Sequence, residues 1–340
     1  MVPPALITSL VVAAYAAVAV ANSIPGAYIV ELEDGHDHAA VLDHISDEAS
    51  TRMAFDHKHF RGLSFQFHNV AGAEQRSKEI AAMSAVKQMW PVRVLSANMA
   101  TKARVVGASV NSEVVKRDGT LPKDTFAPHV MTQVDRLRAK GITGKGPIPG
   151  NKPLDRAGHG THVAGIIAAQ PNPLGFTGAA TGVTLGAYRI SGCEGDSAND
   201  VLIAAFNKAF EDGANIITSS FGEAQGWSED PWAVTASRIV QAGVPVTIAA
   251  GNDGDSGLFF ADSGASGKGV TAVARYNTIE TPLLSYQSSY NIDGGRKIDF
   301  IYTPGDEVVW GVSMPLYATG LDYQVGDDAC QPLPAGGQHT

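Results

Sequence analysis

Residues 216–254 read IITSSFGEAQGWSEDPWAVTASRIVQAGVPVTIAAGNDG, and this stretch decides the fold. Ile216-Ile217-Thr218-Ser219-Ser220 is a short apolar and β-branched run bounded by polar residues, which predicts a strand. Asp230 offers a side-chain cap, Pro231 fits a first helical position, and Gly243 closes the segment, so a helix is predicted between them. Val244 to Ala250 predicts the next strand. Upstream, Ala187-Tyr188-Arg189-Ile190 predicts a short strand, and Ser197 or Asn199 caps a helix running to about Asp212 before Gly213. Downstream, Val270 to Ala274 predicts another strand. Strands alternating with helices of this length give βαβ units. The expected fold class is therefore α/β, with a mostly parallel sheet flanked by helices. Such sheets carry their sites beyond the carboxyl ends of the strands.

Three motifs fall at such positions. Gly158-His159-Gly160-Thr161-His162-Val163-Ala164-Gly165 leads into Ile166-Ile167-Ala168-Ala169. His159 stands at a helix start between glycines, where backbone rather than side-chain packing holds it, as suits a general base. The small residues Gly160, Ala164 and Gly165 predict close packing of this helix on the sheet. His162 is read as structural. Ala249-Ala250-Gly251-Asn252 ends a strand, and the neutral Asn252 amide there can stabilise a developing oxyanion. Thr218-Ser219-Ser220-Phe221-Gly222 ends another strand and can pair with an extended peptide by strand addition.

Together these motifs resemble the subtilisin-like serine proteases, in particular the larger secreted forms with an inhibitor-like propeptide. The resemblance covers about Gly26 to Ala274. It implies a serine endopeptidase with His159 as general base and Asn252 as oxyanion donor. Ser220, Phe221 and Gly222 would form the substrate-binding strand. It implies protein or peptide substrates, no cofactor and no metal. The segment 22–100 resembles the family's propeptide, an intramolecular inhibitor of its own enzyme. The expected organisation is a signal peptide (1–21), the propeptide (22–100), a catalytic domain (101–275), and the start of an inserted region (276–340).

Two parts of that family's catalytic apparatus are missing. Its aspartate ends a strand that should begin just after Gly144-Lys145-Gly146. Here Pro147-Ile148-Pro149-Gly150-Asn151-Lys152-Pro153 follows, and three prolines in seven residues cannot form a central strand. Asp155 lies four residues before His159, on the same lead-in loop, which is the wrong place from which to orient the ring. The family serine sits in Gly-Thr-Ser-Met-Ala. The nearest echo, Gly311-Val312-Ser313-Met314-Pro315, puts proline where the helix should continue. Gly326 to Cys330 resembles the start of an inserted domain, so the chain is expected to stop before the serine segment. The expectation is an inactive chain. The alternative is a noncatalytic secreted binding or inhibitor protein that acts through its propeptide-like segment.

Composition bounds the remaining classes. Apolar residues make up 44%, enough for a sizeable core. Acidic residues outnumber basic ones 34 to 25, a net charge of −9, which with no basic run argues against nucleic-acid or anionic-membrane partners. Leu6 to Ala21 is apolar apart from Thr8, Ser9 and Tyr15, and Ala19-Val20-Ala21 is a small-x-small cleavage site. A secreted, extracellular protein follows, with no membrane attachment after signal removal. A membrane anchor is the alternative, but the stretch is short for a span and lacks a basic flank. Cys193 and Cys330 are too few for a disulfide framework.

Weaker patterns are read blandly. Asp253 and Asp255 supply too few oxygens in register for calcium and are read as a solvated loop. Gly175 to Gly182 is a poor match to a nucleotide-binding loop, since no long helix follows. Within 22–100, Ala27 to Leu32 and Leu63 to Phe67 predict strands, and Ser77 to Met83 a helix. Ala100 to Pro128 reads as a linker. The segment 22–100 also holds six of the ten histidines: His36, His38, His44, His57, His59 and His68. Their protonation is expected to loosen it from its partner domain.

Overall fold

A computed structural model describes residues 23–96, 126–144, 155, 158–172, 176–192, 195–276, 286–292 and 294–302. Residues 1–21, the 146–151 stretch, Cys193, Ser313 and the tail to Cys330 lie outside the described residues. The chain divides into two units, Met1–Pro282 and Leu283–Thr340.

The first unit opens with an antiparallel sheet. β1 (Ser23–Leu32), β2 (Ala49–His57), β3 (Phe60–Phe67) and β4 (Val86–Ser96) are ordered β2-β3-β1-β4, and the short β5 (Asp196–Ala198) adds to the β4 edge. Helices α1 (Ala39–Ile45) and α2 (Val70–Ala81) cover one face. Period-two alternation sorts the two faces. Val30, Leu32, Leu63, Phe65 and Phe67 pack with Val41, Ile45, Ala73 and Ile80. Ala27, Ile29, Phe55, Phe60 and Val92 point the other way, into a larger core. Asn69 caps α2 by accepting from the Ala71 amide, so the helix starts earlier than the Ser77–Met83 reading.

That larger core is shared with the second half of the unit. Helices α6 (Asn199–Glu211) and α7 (Pro231–Gln241) supply Leu202, Ile203, Phe206, Trp232, Ala236 and Ile239 to it. Their other neighbour is a parallel sheet of β6 (Ile217–Ser219), β7 (Val246–Ala249) and β8 (Thr271–Val273). Asp230 caps α7 by accepting from the Trp232 amide, with Pro231 at the first position, and Gly213 and Gly243 follow the two helix ends with positive φ. The sequence reading thus meets the structure closely here. It differs at Ala187–Ile190, which forms no ladder. Tyr188 donates instead to Asp212, and Ser197 donates to the Ile190 carbonyl. Asn199 is not a cap; its side chain accepts from Arg93 N and donates to the Pro91 carbonyl, so it serves β4.

Two short helices, α3 (Ala127–Met131) and α4 (Val134–Ala139), follow the predicted linker, and α3 takes in its last residues. Helix α5 (His159–Ala168) comes next. In the second unit β9 (Tyr286–Tyr290) and β10 (Ile298–Tyr302) form an antiparallel hairpin. No helix among the described residues is long and apolar enough to cross a membrane.

The seam between the antiparallel sheet and α6–α7 is charged as well as apolar. Asp200, fully buried in the first turn of α6, accepts from Arg52 Nε and Ser64 Oγ, each at 2.9 Å. A carboxylate there also faces the positive end of the helix dipole. Glu31, buried in β1, pairs with Arg238 of α7 at 2.8 Å and with Lys87 at 3.1 Å. Trp90 donates from its indole to the Glu229 carbonyl.

Three histidines of the antiparallel half lie at or near this seam. His57 lies 2.8 Å from Glu211 of α6, across the seam, while His38 lies 3.7 Å from Asp56 within the antiparallel half itself. His59 stacks edge-on against Phe210 at 4.4 Å, and its Nε2 is buried without a partner. Burial, then Lys58 and Arg238, lower its affinity for a proton, with Glu211 opposing. The undocked state therefore takes up the proton first as pH falls below about 6.5. The His59 contribution to docking is whole above that pH and is lost as pH falls through the lowered value. Protection of the β2 and β3 amides, taken against the intrinsic exchange rate at each pH, is expected to fall between pH 7.5 and 5, and His59→Gln to flatten that change. An identical pH profile in the variant contradicts this.

Candidate functional site

The carboxyl ends of β6 and β7 lie side by side, because Ser219 pairs in register with Ile248. Beyond β6, Ser220 is exposed, Phe221 is buried in the core, and Gly222 follows. Beyond β7, Gly251 adopts a left-handed φ of +97°, and Asn252 is exposed. Two predicted substrate and oxyanion segments therefore emerge from adjacent strands, as the parallel-sheet rule requires.

A third segment locks them together. Asp262 N donates to the Ala250 carbonyl, Ser263 N to Glu223, Gln225 N to Ala261, and Gly226 N to Phe259. These bonds zip residues 223–226 against 259–263, and Trp227 stacks on Phe259 at 6.3 Å at the tip. The Asp262 side chain lies directly over two glycines. A Cβ on Gly222 would meet its Cγ at 2.3 Å, and one on Gly251 its Oδ1 at 2.9 Å. Only glycine fits at either place while the carboxyl is there, and Gly251 needs its freedom of φ as well. Asp262 is 7% exposed. Burial, then Asp253 and Glu223, push its carboxyl up to about 6. The sequence reading missed this residue. Two strand-end glycines were its only signal, and a sequence does not show what approaches a glycine.

His159 opens α5 as predicted, half-buried, after Gly158 in a left-handed conformation. Asp155 fixes that start. Its Oδ1 accepts from Gly158 N, and its Oδ2 from Thr161 N and Thr161 Oγ1, at 2.6–2.9 Å. Asp155 is thus a helix-capping residue, and no hydrogen bond to the His159 imidazole forms among the described residues. The expected close packing of α5 on the sheet is not observed. None of its residues is buried, and Ile166 is 60% exposed. Beyond Asp155 and Gln170, its outside hydrogen bonds come from the amides of Ala179 and Ala180, which donate to the Ile166 and Ile167 carbonyls. No hydrogen bond or ion pair among the described residues joins it to β6 or β7.

Asp253 begins a one-turn helical stretch with Asp255 exposed, in keeping with a solvated loop. Among the described residues no group of three His, Cys, Asp or Glu side chains is arranged to hold a metal ion.

The Subtilase family profile matches residues 125–328. The chain belongs to the subtilase family. It is 35% identical over 103 residues to subtilisin DY of Bacillus licheniformis, covering 30% of this chain and 37% of that protein. It is 31% identical over 204 residues to the extracellular serine proteinase of a Thermus species, covering 59% of this chain and 43% of that protein. The chain thus spans about two-fifths of the length of these relatives. Among solved structures, fervidolysin of Fervidobacterium pennivorans, a keratinolytic enzyme related to subtilisin, aligns with a TM-score of 0.47 at 16% identity. That alignment covers 68% of this chain and 40% of that one.

Proposed function

We propose that the chain carries the frame of a secreted serine-type endopeptidase that acts on protein or peptide substrates. The observation that carries this reading is the emergence of Ser220–Gly222 and Gly251–Asn252 from paired strands. An extended peptide laid along Ser220–Gly222 by strand addition would bring its scissile carbonyl toward the Asn252 amide. His159 would take the proton of a serine nucleophile and return it to the leaving amine. Asn252 would stabilise the oxyanion of the tetrahedral intermediate.

Residues 22–100 act, in this reading, as an inhibitory prosegment after removal of 1–21. Their docking on α6–α7 and the β4–β5 ladder, with Val94 opposite Ala198, support it. The same docking favours a second reading, a noncatalytic inhibitor. Inhibition of an active subtilisin by residues 22–100 added in trans is expected of a prosegment and of an inhibitor alike, and no inhibition counts against both; activity of the restored form described next separates them.

Pro147 to Pro153 stands where the family's aspartate-ended strand is expected, and Gly-Thr-Ser-Met-Ala does not occur in the 340 residues, so on their own they are expected to be hydrolytically silent. The endopeptidase reading is tested by restoring both. Residues 146–151 are exchanged for a subtilisin's aspartate-bearing strand, and its serine-bearing segment is added. A folded restored form is expected to cleave peptide amides and to be blocked by a fluorophosphonate. A folded form that cleaves nothing contradicts the reading.

A further inference from the structure

We propose that Asp262 receives the cationic side chain, arginine or lysine, of a peptide lying along Ser220–Gly222. The inference rests on the peptide-cleft reading above and names the substrate class it selects. Asp262 is more than nine-tenths buried, yet no hydrogen bond or ion pair satisfies its carboxylate among the described residues. Its oxygens are nevertheless not sealed, unlike the Trp232 indole nitrogen, which is buried without a partner. A buried carboxylate without a partner is costly, and the usual remedies are a proton or a cation.

Among the described residues no cation pairs with the Asp262 carboxylate. The groups that raise the Asp262 carboxyl are Asp253 and Glu223, both acidic. Arg93 is taken up by Glu223 at 3.6 Å. The position is equally specific. The carboxylate rests on the Gly222 and Gly251 backbones, between the substrate strand and the residue preceding Asn252. A side chain that reaches it belongs to a residue beside the scissile carbonyl. A guanidinium or ammonium is a long, donor-only group that fits a deep acceptor. Above about pH 6 the carboxyl is ionised, and it then repels acidic side chains and leaves neutral ones unpaired.

The test uses the full 340-residue chain at pH 7.5 and titration calorimetry. Three peptides are compared: acetyl-Ala-Ala-Pro-Arg-amide and its counterparts ending in Gln and norleucine. The arginine peptide is expected to bind about 10-fold tighter or more, the worth of a charged hydrogen bond. That preference should shrink as pH falls through about 6, and Asp262→Asn should abolish it. Equal binding of the three peptides by the unaltered chain, or a preference that survives in D262N, overturns the proposal and leaves the peptide cleft standing. Failure of all three to bind overturns both. The unaltered chain decides by itself, so a misfolded variant does not protect the idea.

Discussion

In the restored form of the chain, His159→Ala is expected to lower kcat by about 10⁶-fold, the size of the loss when subtilisin loses its histidine. His159 is held by the turn at Gly158 and by the Asp155 cap, so its truncation removes an imidazole without disturbing a buried core. Asn252→Ala is expected to cost about 10²–10³-fold, as the corresponding donor does in subtilisin. The asparagine is exposed at a strand end, so the loss should fall on kcat rather than on folding. Asp155→Ala is the control. Its oxygens serve Gly158 and Thr161, so it should cost about 1 kcal/mol of helix stability and far less activity than His159→Ala. An Asp155 variant as dead as the His159 variant would mean that Asp155 orients the ring after all.

Arg52→Ala is expected to destabilise the 340-residue chain by about 3 kcal/mol, near the lower end for breaking a buried pair. Asp200 has no exposed surface, and it would keep only Ser64, the Val201 amide and the helix dipole. The seam it sits on also joins the two halves of the first unit through Phe55, Phe60, Leu202 and Phe206. Loosening it should free the antiparallel sheet from α6–α7. Urea unfolding reads the loss. The double variant Arg52→Ala with Asp200→Asn should recover much of it, because the stranded charge is gone. A loss under about 1 kcal/mol, the range of an exposed pair, contradicts the assignment of Asp200 as a buried charge held by Arg52.

The parts of the fold that a sequence can announce were those with local punctuation. Helix α7 is bounded by Asp230-Pro231 and Gly243, and α6 ends at Gly213, so both were legible. So were β6, β7 and β8, as apolar runs. The antiparallel sheet was legible only in part. β2 reads ASTRMAFDH, with an irregular step between Thr51 and Met53 that breaks the alternation. β4 carries Pro91 in its middle, which argues against a strand; the Asn199 side chain holds this stretch by donating to the Pro91 carbonyl and accepting from Arg93 N. Ala187–Ile190 has strand composition, but a strand needs a partner as well as a propensity. The site divides in the same way. His159, Asn252 and Ser220–Gly222 lie in contiguous motifs, so the sequence alone is enough to propose them. Asp262 gains its meaning from Gly222 and Gly251, forty and eleven residues away, and long-range approach of that kind leaves no pattern in sequence.

One assay bears most directly on the central claim, that these 340 residues form a subtilase frame without its nucleophile. The purified chain is incubated with a peptide amide substrate and a fluorescent fluorophosphonate. The account predicts no cleavage above the buffer rate and no labelled serine. Turnover that the fluorophosphonate abolishes, with one serine labelled, would contradict it.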